Sequence, residues 1–296
     1  MLDRDKIKTR EAFVFDPIDR MEPIPAYRDL LKVWVFIKKD LLVLKGYRFS
    51  LILNILSLVM GIASYFFLGK LFGPKGVTAL KNYGSQYFPF VLIGISLSNF
   101  LLTALNTFSG TLQQERSRGT LSTIVVTPTR EHVLFFGLSM WSFILSSLMV
   151  IVYLVIGIVF FKMDLSKIDI VSTCIVLFLS VVVFSSLGIL SASFIMVFRR
   201  GNPITWLFSS VSVLLGGVYY PVTMLPKILQ VVSKFIPLTY SLSALRRAII
   251  QGQNILQLKS EILILLVFAL ILLPLSLVCL RYAERLVKKH GSLLHI

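Results

Sequence analysis

"IVSTCIVLFLSVVVFSSLGILSASFIMVF", residues 170–198, runs for 29 residues without one charged side chain. As a helix rising 1.5 Å per residue it reaches about 43 Å, more than the roughly 30 Å hydrocarbon core of a bilayer. Five further apolar stretches lie at 49–72, 87–112, 133–161, 203–220 and 261–281. Hydrophobic residues make up 56% of the chain and charged residues 15%, where a soluble domain carries about a quarter charged. Mean hydropathy is +0.85. The reading is an all-α integral membrane protein with six transmembrane helices between 49 and 281. The first 25 residues are polar and carry eleven charges, which does not suit a cleavable signal peptide.

The net charge is +16, and its placement is informative. With the N-terminus inside, twenty of the thirty Lys and Arg fall in 1–48, 113–132, Arg199–Arg200 and 281–296. That bias matches the positive-inside rule and predicts both termini cytoplasmic. The partner it implies is membrane lipid with anionic headgroups, and nucleic acid is not expected, because no aromatic-interleaved basic patch stands out. Cys174 and Cys279 each fall within a span and are expected to be small packing residues.

Residues 1–26 form a polar tail, and the membrane-embedded body is expected over 27–296, ending in a short cytoplasmic tail. Within 27–46 the sequence is amphipathic: Leu30, Val33, Trp34, Ile37, Leu41 and Leu44 share one stripe, and Arg28, Lys32 and Lys39 oppose it. This reads as an interfacial helix on the cytoplasmic leaflet, serving as an anchor or a moving element. Trp34, Lys38, Lys39 and Asp40 are its candidate functional residues.

Between Gly216 and Gly252 the chain is half-apolar yet interrupted by Pro221, Pro226 and Pro237. It reads as two short re-entrant helices before the last span, because irregular backbone at membrane depth must be buried in protein or line a cavity. Gly216 and Gly217 loosen the end of the fifth span, and Gly252 suits the C-terminal cap of the second short helix. Leu238, Leu242, Leu245 and Ile249 form an apolar stripe, with Arg246 and Arg247 expected on its flank near the outer headgroups. Gly216, Gly217, Tyr219, Tyr220, Pro221, Pro226 and Pro237 are candidate outer-gate residues; packing of the outer rim is the alternative.

Several chemistries are missing. No ionisable residue stands well inside a span, which disfavours a proton relay. No Gly-x-x-x-x-Gly-Lys-Ser/Thr stretch could cradle nucleotide phosphates. His132, His290 and His295 lack companion ligands, so no metal site is expected. No nucleophile–base set points to catalytic residues, and no enzyme activity of its own is expected.

The loop "QQERSRGTLSTIVVTPTREH", residues 113–132, places Leu121, Ile124 and Val125 on one helical face, with Glu115, Arg116 and Arg118 just before and Pro128 just after. On physics alone it is either a charged loop or a short handle for a cytoplasmic partner. Its Glu-Arg-x-x-Gly-Thr-Leu followed by Thr-Pro resembles the inner-loop motif of the type-2 ABC exporter permeases. "PVTMLPKILQVVSKFIPLTYSLSALRRAIIQG" resembles that family's signature before the last span, and the similarity extends over about 27–285. The resemblance implies a permease that works by alternating access and pairs with a second copy or a paralogue. It also implies a separate ABC ATPase subunit in two copies, which binds ATP and Mg; no cofactor is implied in this chain. It further implies that Glu115, Arg116, Gly119, Thr120, Leu121 and Pro128 couple to that ATPase. An acidic residue often follows the Gly-Thr-Leu, and Ser122 stands there instead. A prokaryotic inner or plasma membrane is the implied location.

For cargo the chain offers apolar walls with sparse amides and hydroxyls. Asn54, Asn99, Asn106, Thr205, Ser209 and Ser212 are candidate pathway residues, with hydrogen bonding between helices as the alternative for each. An amphiphilic drug or lipid fits that lining. Export of a polysaccharide or lipid-linked glycan is the second reading. Lys38–Lys39–Asp40 and Tyr47–Arg48 partly resemble the polysaccharide-exporter signature, but "FSLILNILS" lacks its Leu-Gly and tryptophan. An ion-coupled carrier or a channel is the reading from another class.

Overall fold

A computed structural model describes residues 48–71, 80, 86–117, 131–162, 167–198 and 203–289. The expected interfacial helix with Trp34, Lys38, Lys39 and Asp40 lies outside the described residues, as do Gly119, Thr120, Leu121 and Pro128. Every element among the described residues is helical. In chain order they are α1 (Arg48–Leu71), α2 (Tyr87–Ser117), α3 (Glu131–Phe161), α4 (Ile170–Phe198), α5 (Pro203–Leu215), α6 (Lys227–Ser233), α7 (Pro237–Ile250) and α8 (Lys259–Lys289). A 3₁₀ turn at Val222–Met224 precedes α6.

α1, α2, α3, α4 and α8 are long and apolar enough to cross a membrane. The expected fifth span, 203–220, is corrected: α5 stops at Leu215 after 13 residues, about 20 Å, which is short of the hydrocarbon core. A count of six is reached if α6 and α7 together form one span, although they meet at 87°.

Packing is uneven. α2 is largely buried, with Leu92, Leu97, Leu101 and Leu105 facing Val176, Val183 and Phe184 of α4 and the Leu238–Leu242–Leu245–Ile249 stripe of α7. Phe100 and Phe184 set their rings 5.9 Å apart across this seam. Lipid tails are as apolar as leucine, so dispersion and close fit hold such a core, with little hydrophobic drive. Small hydroxyls let helices approach: Ser180 of α4 donates to Ser241 of α7 at 2.9 Å. By contrast α1 and α8 present Phe49, Met60, Phe67, Leu71, Leu263, Leu270 and Val278 outward. Cys174 is also exposed, on the outside of α4, where a packing role had been expected.

Candidate functional site

The site forms where α5 breaks. Gly216 N–H makes the last helical bond, to Ser212 O at 2.8 Å, and Gly217 then turns the chain with φ +83, a conformation that side-chain-bearing residues rarely adopt. A helix end inside a membrane protein leaves carbonyls that water cannot reach. Here side chains supply the donors. Tyr220 Oη donates to Leu214 O at 2.6 Å, and Ser233 Oγ donates to Leu215 O at 2.6 Å.

The carbonyls of Gly217 and Val218 are taken by Arg246. Its Nη1 donates to Gly217 O at 2.8 Å, its Nη2 to Val218 O at 2.9 Å, and its Nε to Phe90 O on α2 at 3.0 Å. The guanidinium also lies over the Phe90 ring, 3.4 Å from its centroid, so a ring face meets the cation as well. Arg246 is 3% exposed. The sequence reading put it on the flank of the α7 stripe, and it is buried within the protein instead. Gly94 makes the arrangement possible: a Cβ there would collide with Val218 O and come within 2.7 Å of Arg246 Nη2. One side chain thus pins α2, the turn after α5, and α7 together.

Arg247 points the other way. It pairs with Glu261 in the first turn of α8, and its Nε donates to Gln253 Oε1 at 2.6 Å. Gly252, φ +66, ends α7 in the left-handed region, where Gln253 N–H reaches back to Arg247 O at 3.2 Å. Between the turn, α7 and α8 lies a pocket of about 210 Å³, lined by Gly216, Tyr240, Ser243, Arg246, Ser260 and Glu261 among others.

The candidate gate residues gather around this break. Tyr219 stacks on Tyr65 of α1, with centroids 5.9 Å apart and planes at 17°. Pro221 is buried and Pro226 exposed. Pro221 precedes the 3₁₀ turn and Pro226 precedes α6. Pro237 is buried at the start of α7, where it presets the helical φ.

The candidate pathway residues do not converge. Asn54 and Asn106 are exposed, and Asn106 Nδ2 donates to Leu102 O at 2.9 Å. Asn99 Nδ2 donates to Tyr153 Oη of α3 at 2.6 Å. Thr205 meets Ser191 of α4 hydroxyl to hydroxyl, and Ser209 Oγ donates to Trp206 O at 2.9 Å. Ser212 Oγ is fully buried with no hydrogen-bond partner among the described residues. Glu115 and Arg116 fall on the last turn of α2, so the helix that carries Phe90 and Gly94 also leads into the expected coupling segment. Among the described residues no three His, Cys, Asp or Glu gather as metal ligands would.

Sequence reasoning missed Phe90, Gly94, Arg246 and Glu261. For Arg246 a signal existed, because it stands four residues after Leu242 and three before Ile249, on the buried stripe itself. Nothing comparable marks Phe90 or Gly94, whose roles arise from contacts over 120 residues away in the chain.

A family model described as ABC-2 type transporter matches residues 32–250. No curated protein matches the chain.

Proposed function

The chain belongs to the ABC-2 type transporter family, and from that premise we propose that it is the membrane permease of an ATP-driven exporter. Such permeases associate with an ABC ATPase, and the chain itself is a multi-pass membrane protein. In the proposed assembly two permease chains, identical or paralogous, pair with two copies of a separate ATPase that binds ATP and Mg. Both termini are cytoplasmic, in a prokaryotic inner or plasma membrane. The cargo is an amphiphilic drug, lipid or related molecule moved out of the cytoplasm by alternating access.

The observation that carries this reading is the family match over 32–250, which takes in both the 113–132 loop and the broken α5–α7 region. Glu115, Arg116, Gly119, Thr120, Leu121 and Pro128 are the proposed contacts with the ATPase, beside an interfacial helix at 27–46. α6 and α7 are the proposed re-entrant pair that closes the outer mouth. ATP closure can shift the permease only through a difference in affinity between its two states. α2 is a continuous helix from Tyr87 to Ser117, so displacement at its cytoplasmic end has a stiff path to the Arg246 clamp at the other.

Affinity purification from the native host tests the assembly. The chain is expected to bring down a P-loop ATPase, and Glu115→Ala is expected to leave hydrolysis running while transport fails. A chain that purifies without any ATPase and still transports would overturn the reading.

A further inference from the structure

Two helix registers measure how deep α6 lies. α7 runs beside α8 in the opposite direction: Arg247 pairs with Glu261 and, seven residues along each helix, Tyr240 meets Phe268. It runs beside α4 in the same manner, with Asp169 N–H on Ala248 O just before α4 begins and Ser180 Oγ on Ser241 Oγ farther along. α4 and α8 are both long and apolar enough to cross a membrane. Phe268 stands six residues past Ile262, where the apolar run of α8 starts, and Ser180 stands ten past Ile170, where α4 starts. At 1.5 Å per residue these positions are about 9 and 15 Å inside the apolar zone. Pro237, the start of α7, is deeper still, and α6 meets α7 at 87°. α6 therefore lies across the direction of the spans, well inside the roughly 30 Å hydrocarbon core.

At that depth two lysines are open. Lys227 and Lys234 stand two turns apart on one side of α6, at its ends, and both are exposed. Ile228 and Val231 share that open flank, and Phe235 follows it; Ile228 is 79% and Phe235 76% exposed. Ser233, on the opposite side, is buried and donates to Leu215 O. An ammonium inside a membrane needs water or an anion beside it, and a lysine stem of roughly 6 Å does not carry it to the surface from there. The chain offers no anion nearby, because residues 170–260 contain no Asp or Glu. The carboxylates on either side of that stretch are engaged, Asp169 by Ser172 and Glu261 by Arg247.

We propose that α6 receives the anionic headgroup of the transported amphiphile. Lys227 and Lys234 hold the headgroup, and the flank of Ile228, Val231 and Phe235 lies against the tail. Seven residues of helix set the two lysines about 10 Å apart along the axis, a gap that two long side chains close around one phosphate or carboxylate. Depth decides the source of the anion. Headgroups of the resident bilayer lipids stay outside the hydrocarbon core, so an anion that meets α6 is one in transit. A cationic headgroup would meet like charge, and a neutral one would leave both ammoniums without a counter-charge.

The site names a substrate class for the transport reading and rests on that reading for its physiological use. Binding needs no ATPase, so the two can fail separately. Radiolabelled decyl phosphate, decyltrimethylammonium and decyl glucoside, each below its micelle concentration, would be offered to the full chain in phosphatidylcholine nanodiscs. Empty nanodiscs of the same lipid give the baseline. Decyl phosphate is expected to bind saturably above that baseline, and the other two are not. Lys227→Gln/Lys234→Gln is expected to weaken decyl phosphate binding about tenfold or more, as loss of charge-assisted contacts does, and Lys227→Arg/Lys234→Arg is expected to keep it. Both side chains are exposed, so these changes leave the packed core alone. Lys162→Gln/Lys167→Gln removes two exposed lysines from the ends of α3 and α4 and is expected to change nothing. Phosphatidylglycerol added in large excess is expected not to displace decyl phosphate. Preference for another headgroup, equal binding of all three, binding unchanged in the Lys227/Lys234 glutamine variant, equal loss in the Lys162/Lys167 variant, or displacement by phosphatidylglycerol would each overturn the proposal.

Discussion

Arg246 and Arg247 are adjacent in sequence and opposite in physics. About 100° apart on one helix, the first faces three carbonyls and an aromatic ring, and the second faces a carboxylate and solvent-accessible amides. A buried cation held in this way depends on every one of those contacts. Arg246→Ala is expected to destabilise the chain by about 3–5 kcal/mol, because it strands three buried acceptors, on α2 and on the turn after α5, at once. Arg246→Lys should recover little of this, since an ammonium is a point donor and cannot span the same fork. Gly94→Ala should cost about 1–3 kcal/mol by overpacking against Val218 O. Thermal unfolding of the purified variants in detergent measures all three. The double variant Gly94→Ala/Arg246→Ala should fall short of the sum, because both changes strike one contact. At this scale the sequence was half legible. The stripe that buries Leu238, Leu242, Leu245 and Ile249 was readable from its period, but charge led the arginine to be placed on its flank, and the carbonyls that hold it come from distant segments.

The break after α5 shows how the elements were legible and where hydropathy misled. Glycine and proline mark the end of α5 and the starts of α6 and α7, as local stereochemistry requires. Hydropathy nevertheless extended the fifth span to residue 220, because Leu214 to Tyr220 is apolar by composition. What stops the helix is the Gly217 turn, made tolerable by Tyr220, Ser233 and Arg246, which donate to the carbonyls it frees. Tyr220→Phe removes one of these donors with little change of shape, and a loss of about 1 kcal/mol in unfolding free energy is expected. If α6 and α7 close the outer mouth, cysteines placed at Tyr219 and Tyr220 should react with a membrane-impermeant maleimide at different rates in the resting and ATP-trapped complexes. Equal rates in the two states would mean that these helices only pack the rim.

At the scale of the whole molecule, composition alone identified the membrane. The outward apolar faces of α1 and α8 show why: so much exposed leucine, isoleucine and phenylalanine is not tolerated in water. The family was legible from two motifs, the Glu-Arg-x-x-Gly-Thr-Leu stretch followed by Thr-Pro and the proline-broken stretch before the last span, each of which sets particular residues at particular spacings. Cargo was not, because the amides and hydroxyls chosen by residue type are dispersed over the fold; Asn99 and Thr205 bond to neighbouring helices and Ser209 to its own. The pocket beside the break is assembled from residues more than forty positions apart, Gly216 to Glu261. The central claim is that ATP drives this chain through a partner. Its most direct test is to reconstitute the chain, with and without its ATPase, into inverted proteoliposomes and follow uptake of a fluorescent amphiphile. The account predicts uptake that requires both ATP and the ATPase and persists when ionophores collapse the ion gradients. Uptake by the chain alone, or uptake abolished by ionophores while ATP is held constant, would contradict it.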